Sequence, residues 1–172
     1  MAREDIPDIR NRSHMHRIGF ERLDHFVALA TRTRRNRQQH RGHALAIDVG
    51  TGEGALLPLL SPLYERVIAV DRSPARLARC SARIASWGLP NVRLREGSVD
   101  DPGLAQEVDL LSASLRDAAR SSDAGPFDTR GGADLVVMAR MLVHASRPQD
   151  VIASAMRLVR PAGHLVLVDY LP

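Results

Sequence analysis

Beyond residue 43 the chain alternates short apolar runs with amphipathic stretches, and this alternation is its dominant pattern. "HALAIDV" (43–49), "RVIAV" (66–70), "ADLVVMA" (133–139) and "HLVLVDY" (164–170) are nearly continuous in apolar, often β-branched residues. Runs of that length predict strands buried on both faces of a parallel sheet. "NVRLRE" (91–96) alternates apolar with polar positions and predicts a further strand with one wetter face. Helical periodicity fills the gaps, most clearly over Pro74–Trp87 and Gln149–Val159, with another helix over Leu104–Ala119 ahead of a loop rich in Ser, Asp and Gly. Ser73 followed by Pro74 reads as a capped start, with a hydroxyl at N-cap and Pro at the first helical position. "RPAG" (160–163) ends the last helix and turns the chain into the final strand. Five strands alternating with helices predict an α/β fold, a doubly wound parallel sheet with helices on both faces.

The first 43 residues have another pattern. Phe20, Leu23, Phe26, Val27 and Ala30 recur at helical spacing, and "TRTRRNRQQHRGH" (31–43) then lacks apolar periodicity. The expected organisation is a basic helical arm and linker over 1–43 and a globular core over 44–172. Charge sharpens the division. Of the formal net charge of +4, the arm supplies ten Arg against five acids, whereas the remainder is near balance with fourteen Arg and fifteen acids. An arginine run can touch nucleic acid electrostatically, but this one has no aromatic to stack on bases and the core is not basic, so a solvated linker is the preferred reading. Every basic residue is Arg; without Lys there is no Schiff-base lysine, no phosphate-loop lysine and no Tyr-Lys dehydrogenase pair. Cys80 is the single cysteine and reads as a core thiol, outside any disulfide or thiolate metal cluster. "HMH" (14–16) brings two His without a third ligand, so no metal is expected. No apolar run approaches the roughly 20 residues of a membrane span, and the polar N-terminus is unlike a signal peptide. The expected location is the cytoplasm.

The chemistry concentrates in "AIDVGTGEG" (46–54). Gly50, Gly52 and Gly54 come after a strand and open a helix, a turn in which backbone N–H groups can approach a ligand. The stretch "GTGEGA" also fits the dinucleotide pattern G-x-G-x-x-A, so its neighbours must discriminate. Asp71 ends the second strand 23 residues after Asp48, where a carboxylate can accept from ribose hydroxyls. Asp48 itself would repel a pyrophosphate but suits a ligand carrying an ammonium group. An adenosine bearing an amino acid in place of a diphosphate satisfies both.

With these residues in place, 44–172 resembles the core of a class I S-adenosylmethionine-dependent methyltransferase, nearest to small-molecule enzymes of the UbiE/ArsR-associated type. "AIDVGTGEG" is similar to the family's first motif, "VIAVDRSPARLARCSAR" to its second strand and helix, and "NVRLREGSVDD" to its adenine-side motif. "ADLVVMARMLVHASRP" is similar to its fourth strand and the loop after it, and "AMRLVRPAGHLVLVDYLP" to the closing helix, turn and strand. The resemblance implies a Rossmann-like three-layer α/β/α fold with strand order 3-2-1-4-5 and S-adenosyl-L-methionine as cofactor. It assigns Asp48, Gly50, Thr51, Gly52 and Gly54 to the methionine moiety, Asp71 to the ribose and Arg72 to the adenine face. Ser98 and Val99 fall at the adenine edge, and Ala139 with Arg140 lines the cofactor from the fourth strand. Ser98 departs from the family, which usually places an acid there; a hydroxyl also accepts, and Asp100 is near.

The implied reaction is an in-line displacement of methyl from an already activated donor, for which the protein aligns the reactants and excludes water. His144 lies after the fourth strand where an acceptor approaches and can take the acceptor's proton; a lone His beside "MLV" has a packing role as its alternative. The fourth strand lacks the Asn/Asp-Pro-Pro-aromatic motif of exocyclic-amine methylation, and there is neither a Pro-Cys pair for cytosine C5 chemistry nor the thiols of arsenic methylation. A small organic acceptor is expected. Family sheets add two strands after the fifth, and this sequence reads to Pro172 directly behind it. Three explanations compete: a truncated product, a second chain on that edge as in a homodimer, or cover by the N-terminal helix. "IRNRSHMHRIGFERLDHFVALA" is faintly similar to the segment after the fifth strand in related enzymes, which adds a permuted chain. Two further functional readings stand beside the enzyme: a non-catalytic S-adenosylmethionine-binding protein, and an NAD-dependent oxidoreductase, which Asp48 disfavours.

Overall fold

The structure, a computed structural model, describes residues 45–120 and 131–169. The arm expected over 1–43 and the centre of the Ser/Asp/Gly loop lie outside the described residues. Five strands run as β1 (Leu45–Val49), β2 (Arg66–Asp71), β3 (Val92–Glu96), β4 (Ala133–Ala139) and β5 (Val159–Val168), with helices α1 (Leu57–Leu60), α2 (Pro74–Trp87), α3 (Pro102–Arg120) and α4 (Pro148–Leu158) between them. All neighbouring strands pair in parallel, in the order β3-β2-β1-β4-β5. This is the expected doubly wound sheet, and its strand order reverses direction between β1 and β4.

Alternating side chains divide the interior into two cores, one on each face. Ala46, Val67, Ala69, Leu135 and Val137 pack with Leu57, Leu60 and Cys80 on one face. Ile47, Val49, Ile68, Val70, Val136 and Met138 pack with Leu104 and Val108 of α3 and with Ala155 and Leu158 of α4 on the other. All five residues of β1 are buried, as a central strand covered on both sides requires; each such Leu, Ile or Val contributes about 1.5–3 kcal/mol relative to exposure. The alternating segment 91–96 forms edge strand β3, where Arg93 and Arg95 both pair with Glu107 of α3 at 2.9 Å and Arg95 also pairs with Asp101 at 2.6 Å. Charged side chains on an edge discourage pairing with a foreign strand.

The expected caps and helices form, with shifts of one or two residues at most ends. Ser73 Oγ accepts from Arg76 N, Pro74 opens α2, and Gly88 closes it in the left-handed region at φ 62°. Two segments differ. The helix after the glycine turn begins only at Leu57, because Gly54 at φ +81° is far from helical geometry. It continues as a 3-10 turn over Ser61–Leu63, where Pro62 has no N–H to donate. The last strand starts at Val159 rather than 164: Ala133 pairs with Val159 and Leu135 with His164, so "RPAG" is a bulge within the strand, with Ala162 at φ 60°.

Candidate active site

The carboxyl ends of β1, β2, β3 and β4 bring the expected residues to one edge of the sheet, at the reversal of strand order where ligands bind in open α/β sheets. Gly50 N and Thr51 N both donate to Val70 O, at 2.8 and 3.0 Å, which folds the glycine turn across the end of β2. Gly52 N then donates to Asp71 Oδ2 at 2.8 Å, while Asp71 Oδ1 accepts from Ser73 N at 2.9 Å. One carboxylate thus ties the turn to the start of α2. Each of its oxygens has taken one N–H, and a carboxylate can accept about four, so capacity remains for ligand hydroxyls.

Asp48 sits beneath the turn, only 2% exposed, and accepts from Thr51 Oγ1 at 2.7 Å. Burial pushes its carboxyl up to about 6, against the lowering effect of the Thr51 bond, and the nearby Asp71 carboxylate adds to the rise. At neutral pH the group is a buried anion whose ordinary hydration is lost, a setting that favours an ammonium and opposes a pyrophosphate.

The three glycines have different neighbours. A Cβ on Gly54 would fall 2.7 Å from Cys80 Sγ and 2.8 Å from Leu57 Cδ1, so this position is closed by core packing. A Cβ on Gly50 would lie 3.2 Å from Met141 Cβ and 3.3 Å from its Sδ, so the segment after β4 overhangs the turn. A Cβ on Gly52 would meet nothing within 4 Å. The turn is therefore packed at both flanks and open in the middle. Glu53 fastens the turn to α2 through Arg79 at 2.9 Å and Arg83 at 2.6 Å.

At the expected adenine edge, Arg72 Nη2 donates to Ser98 Oγ at 2.8 Å. The Ser98 hydroxyl holds the Asp100 carboxyl below its usual range, and Arg72 acts in the same direction. Ser98 and Asp100 together place accepting oxygens at this edge of the sheet. Val99 is buried, and its side chain joins the core against α3 and α4. Ala139 ends β4, and Arg140 comes next with φ 53°, a left-handed conformation uncommon for a side-chain-bearing residue. His144 is exposed and closes a 3-10 turn, Leu142–His144, beside the same edge. Cys80 is buried, and burial raises its thiol to about 11, as the core reading expects.

Two residues of the edge escape sequence reasoning. Met141 carries no signal beyond its place after a strand. Asp169 accepts from Leu142 N through Oδ2 at 2.9 Å. It bears the same mark as Asp48 and Asp71, an acid at the end of an apolar run, and that mark could have found it. Among the described residues there is no cluster of His, Cys, Asp or Glu that could hold a metal, and no helix is long and apolar enough to cross a membrane.

The chain is similar to known proteins across most of its length. Residues 47–167 match a family model described as "Methyltransferase domain". The chain is 27% identical over 158 residues to protein-L-isoaspartate O-methyltransferase 1 of Syntrophobacter fumaroxidans, covering 84% of this chain and 58% of that protein. Among solved structures, YcgJ of Bacillus subtilis superposes with a TM-score of 0.58 at 20% identity, covering 85% of this chain and 50% of that one. CalS10, an amino pentose methyltransferase of Micromonospora echinaspora solved with S-adenosylmethionine bound, gives 0.57 at 23% identity, covering 86% and 50%. At such identities the structural likeness is one of fold, and the chain spans 50–58% of the length of these relatives. The match across the glycine turn, all five strands and the intervening helices places the chain in the methyltransferase-domain family, the class I S-adenosylmethionine-dependent methyltransferases.

Proposed function

We propose that this protein transfers a methyl group from S-adenosyl-L-methionine to a small organic acceptor. The observation that carries the reading is the pair of carboxylates flanking an open glycine turn: Asp71 bound to Gly52 N, and Asp48 buried beneath it. In this reading 44–172 is the cofactor-binding core and 1–43 an arm. Gly50, Thr51, Gly52 and Gly54 form the cradle for the methionine moiety, with Asp48 facing its ammonium. Asp71 takes the ribose hydroxyls, Arg72 covers the adenine, and Ser98 with the backbone of Val99 meets its edge. Ala139 and Arg140 border the cofactor from β4. The cofactor supplies a sulfonium-activated methyl. The acceptor's lone pair forms the new bond to that methyl as the carbon–sulfur bond breaks, and His144, on the exposed turn after β4, takes the acceptor's proton. We further propose a cytoplasmic location and self-association through the outer edge of β5.

The test is calorimetric titration with S-adenosylhomocysteine, with NAD as a parallel ligand. Saturable micromolar binding of the first alone, lost in Asp71→Ala, is the expected result. No binding by a folded sample, or preference for NAD, overturns the cofactor assignment; binding without methyl transfer to any small acceptor overturns the catalytic one.

A further inference from the structure

The segment after β4 is fastened to the end of β5 at two points. Arg140 N donates to Val168 O at 2.7 Å, which holds Arg140 at φ 53°. Two residues on, Leu142 N donates to Asp169 Oδ2 at 2.9 Å, a bond spanning 27 positions of sequence. Met141 lies between these fastenings, and it is Met141 that packs against Gly50. Leu142 also opens the 3-10 turn that carries His144, whose N donates back to Met141 O at 3.1 Å. An N-terminal 3-10 N–H has no partner within its own turn, so the Asp169 carboxylate satisfies a donor that would otherwise need water.

We propose that Asp169 is a positioning residue: by holding Leu142 N–H it fixes the 140–144 segment, so that Met141 stays over the glycine turn and His144 stays beside it. Removing the acceptor leaves the packing of Met141 and Leu142 against the core and, of the two backbone bonds, that of Arg140. That backbone conformation is strained, and such conformations persist only where the surroundings over-determine them. The segment then relaxes away from Gly50, and the turn loses one of its two packed flanks. The role needs an accepting oxygen and no charge, so Asn at 169 can fill it where Ala cannot. The effect on ligand affinity rests on the S-adenosylmethionine reading of the glycine turn; the effect on Met141 does not.

The experiment uses the full chain with 13C-methyl-labelled methionine, the Met141 resonance being identified among the five methionines by its loss in Met141→Leu. In ligand-free protein, Asp169→Ala is expected to move that resonance toward the position of a solvated methionine, while Asp169→Asn leaves it in place. S-adenosylhomocysteine affinity is expected to fall about fivefold or more in Asp169→Ala and to stay within about twofold in Asp169→Asn, a fivefold change being about 1 kcal/mol of binding free energy. An unmoved resonance in folded Asp169→Ala overturns the proposal, as does an equal effect of Ala and Asn. Should Asp169→Ala not fold, hydrogen exchange at the Leu142 amide of the unaltered protein decides: protection supports the bond, and exchange at the rate of a free peptide overturns it. If the unaltered protein binds no S-adenosylhomocysteine, the function proposed above fails while Met141 and the Leu142 amide still decide the role of Asp169.

Discussion

Asp48 shows how far a single residue could be read before the fold was known. Its type and its place after an apolar run pointed to a carboxylate that repels pyrophosphate. Its burial and its bond from Thr51 were hidden, because they depend on the glycine turn folding back over the central strand. Burial has a measurable consequence. With a folded value of about 6 against an ordinary 3.8, the native chain holds this proton more tightly than the unfolded chain does. Its contribution to stability is therefore most favourable below about pH 4 and is lost as pH rises through 6, by an amount on the order of 3 kcal/mol at neutrality. Asp48→Asn keeps an oxygen for Thr51 and cannot ionise. Urea unfolding should find the variant gaining on the unaltered protein between pH 4.5 and 7.5; a difference that does not change with pH would contradict the burial argument. A ligand ammonium beside Asp48 favours the ionised form, so S-adenosylhomocysteine affinity should rise from pH 5 to pH 7 in the unaltered protein and stay flat in the variant.

Elements were legible where local chemistry and packing agree. Ser73 and Pro74 set the start of α2 by capping and a fixed φ, and Gly88 sets its end, so tertiary contacts had little left to decide. The glycine turn's helix was expected too early, since only the folded turn reveals that Gly54 is left-handed and walled in by Cys80 and Leu57. In β5 the Pro-Ala-Gly run looked like an interruption; pairing with β4 on both sides of it makes it a bulge. That strand also carries a prediction. Among the described residues β5 pairs with β4 alone, and Leu167 on it is 42% exposed. A second copy adding its own β5 would join two sheets across a twofold axis, an isologous contact that repeats every pairing twice. Sedimentation equilibrium at micromolar concentrations should detect a dimer, and Leu167→Lys, a charge placed on the edge, should return it to monomer. A monomer at every concentration, or a dimer indifferent to Leu167→Lys, would remove the β5 edge as the interface.

Across the whole molecule the sheet has two unlike ends. The carboxyl end holds the glycine turn, Asp48, Asp71 and the segment under Asp169, with strained backbone at Arg140 and an anion kept under cover. The amino end holds an ion pair with no part in the site: Asp134, fully buried at the start of β4, accepts from Arg160 Nε at 2.6 Å and from Leu45 N at 2.8 Å. One carboxylate thereby joins β1, β4 and the bulge of β5. Such a pair adds little net stability over apolar neighbours, because Asp134 loses its water and Arg160 most of its own, yet removing the arginine takes a charged partner from a buried carboxylate, at a cost of about 3 kcal/mol. Arg160→Gln should therefore lower the unfolding free energy by that order. The Asp134→Leu, Arg160→Met double variant should recover most of it, less the share owed to Leu45 N–H. Neither change should alter S-adenosylhomocysteine affinity in the folded protein, whereas Asp71→Ala should abolish binding and also lower the unfolding free energy, by about 1–3 kcal/mol, because Gly52 N–H and Ser73 N–H lose their acceptor. If Arg160→Gln weakened binding as much as it weakened folding, the two ends would be coupled through the sheet, and the separation of stability from chemistry along the strands would be wrong.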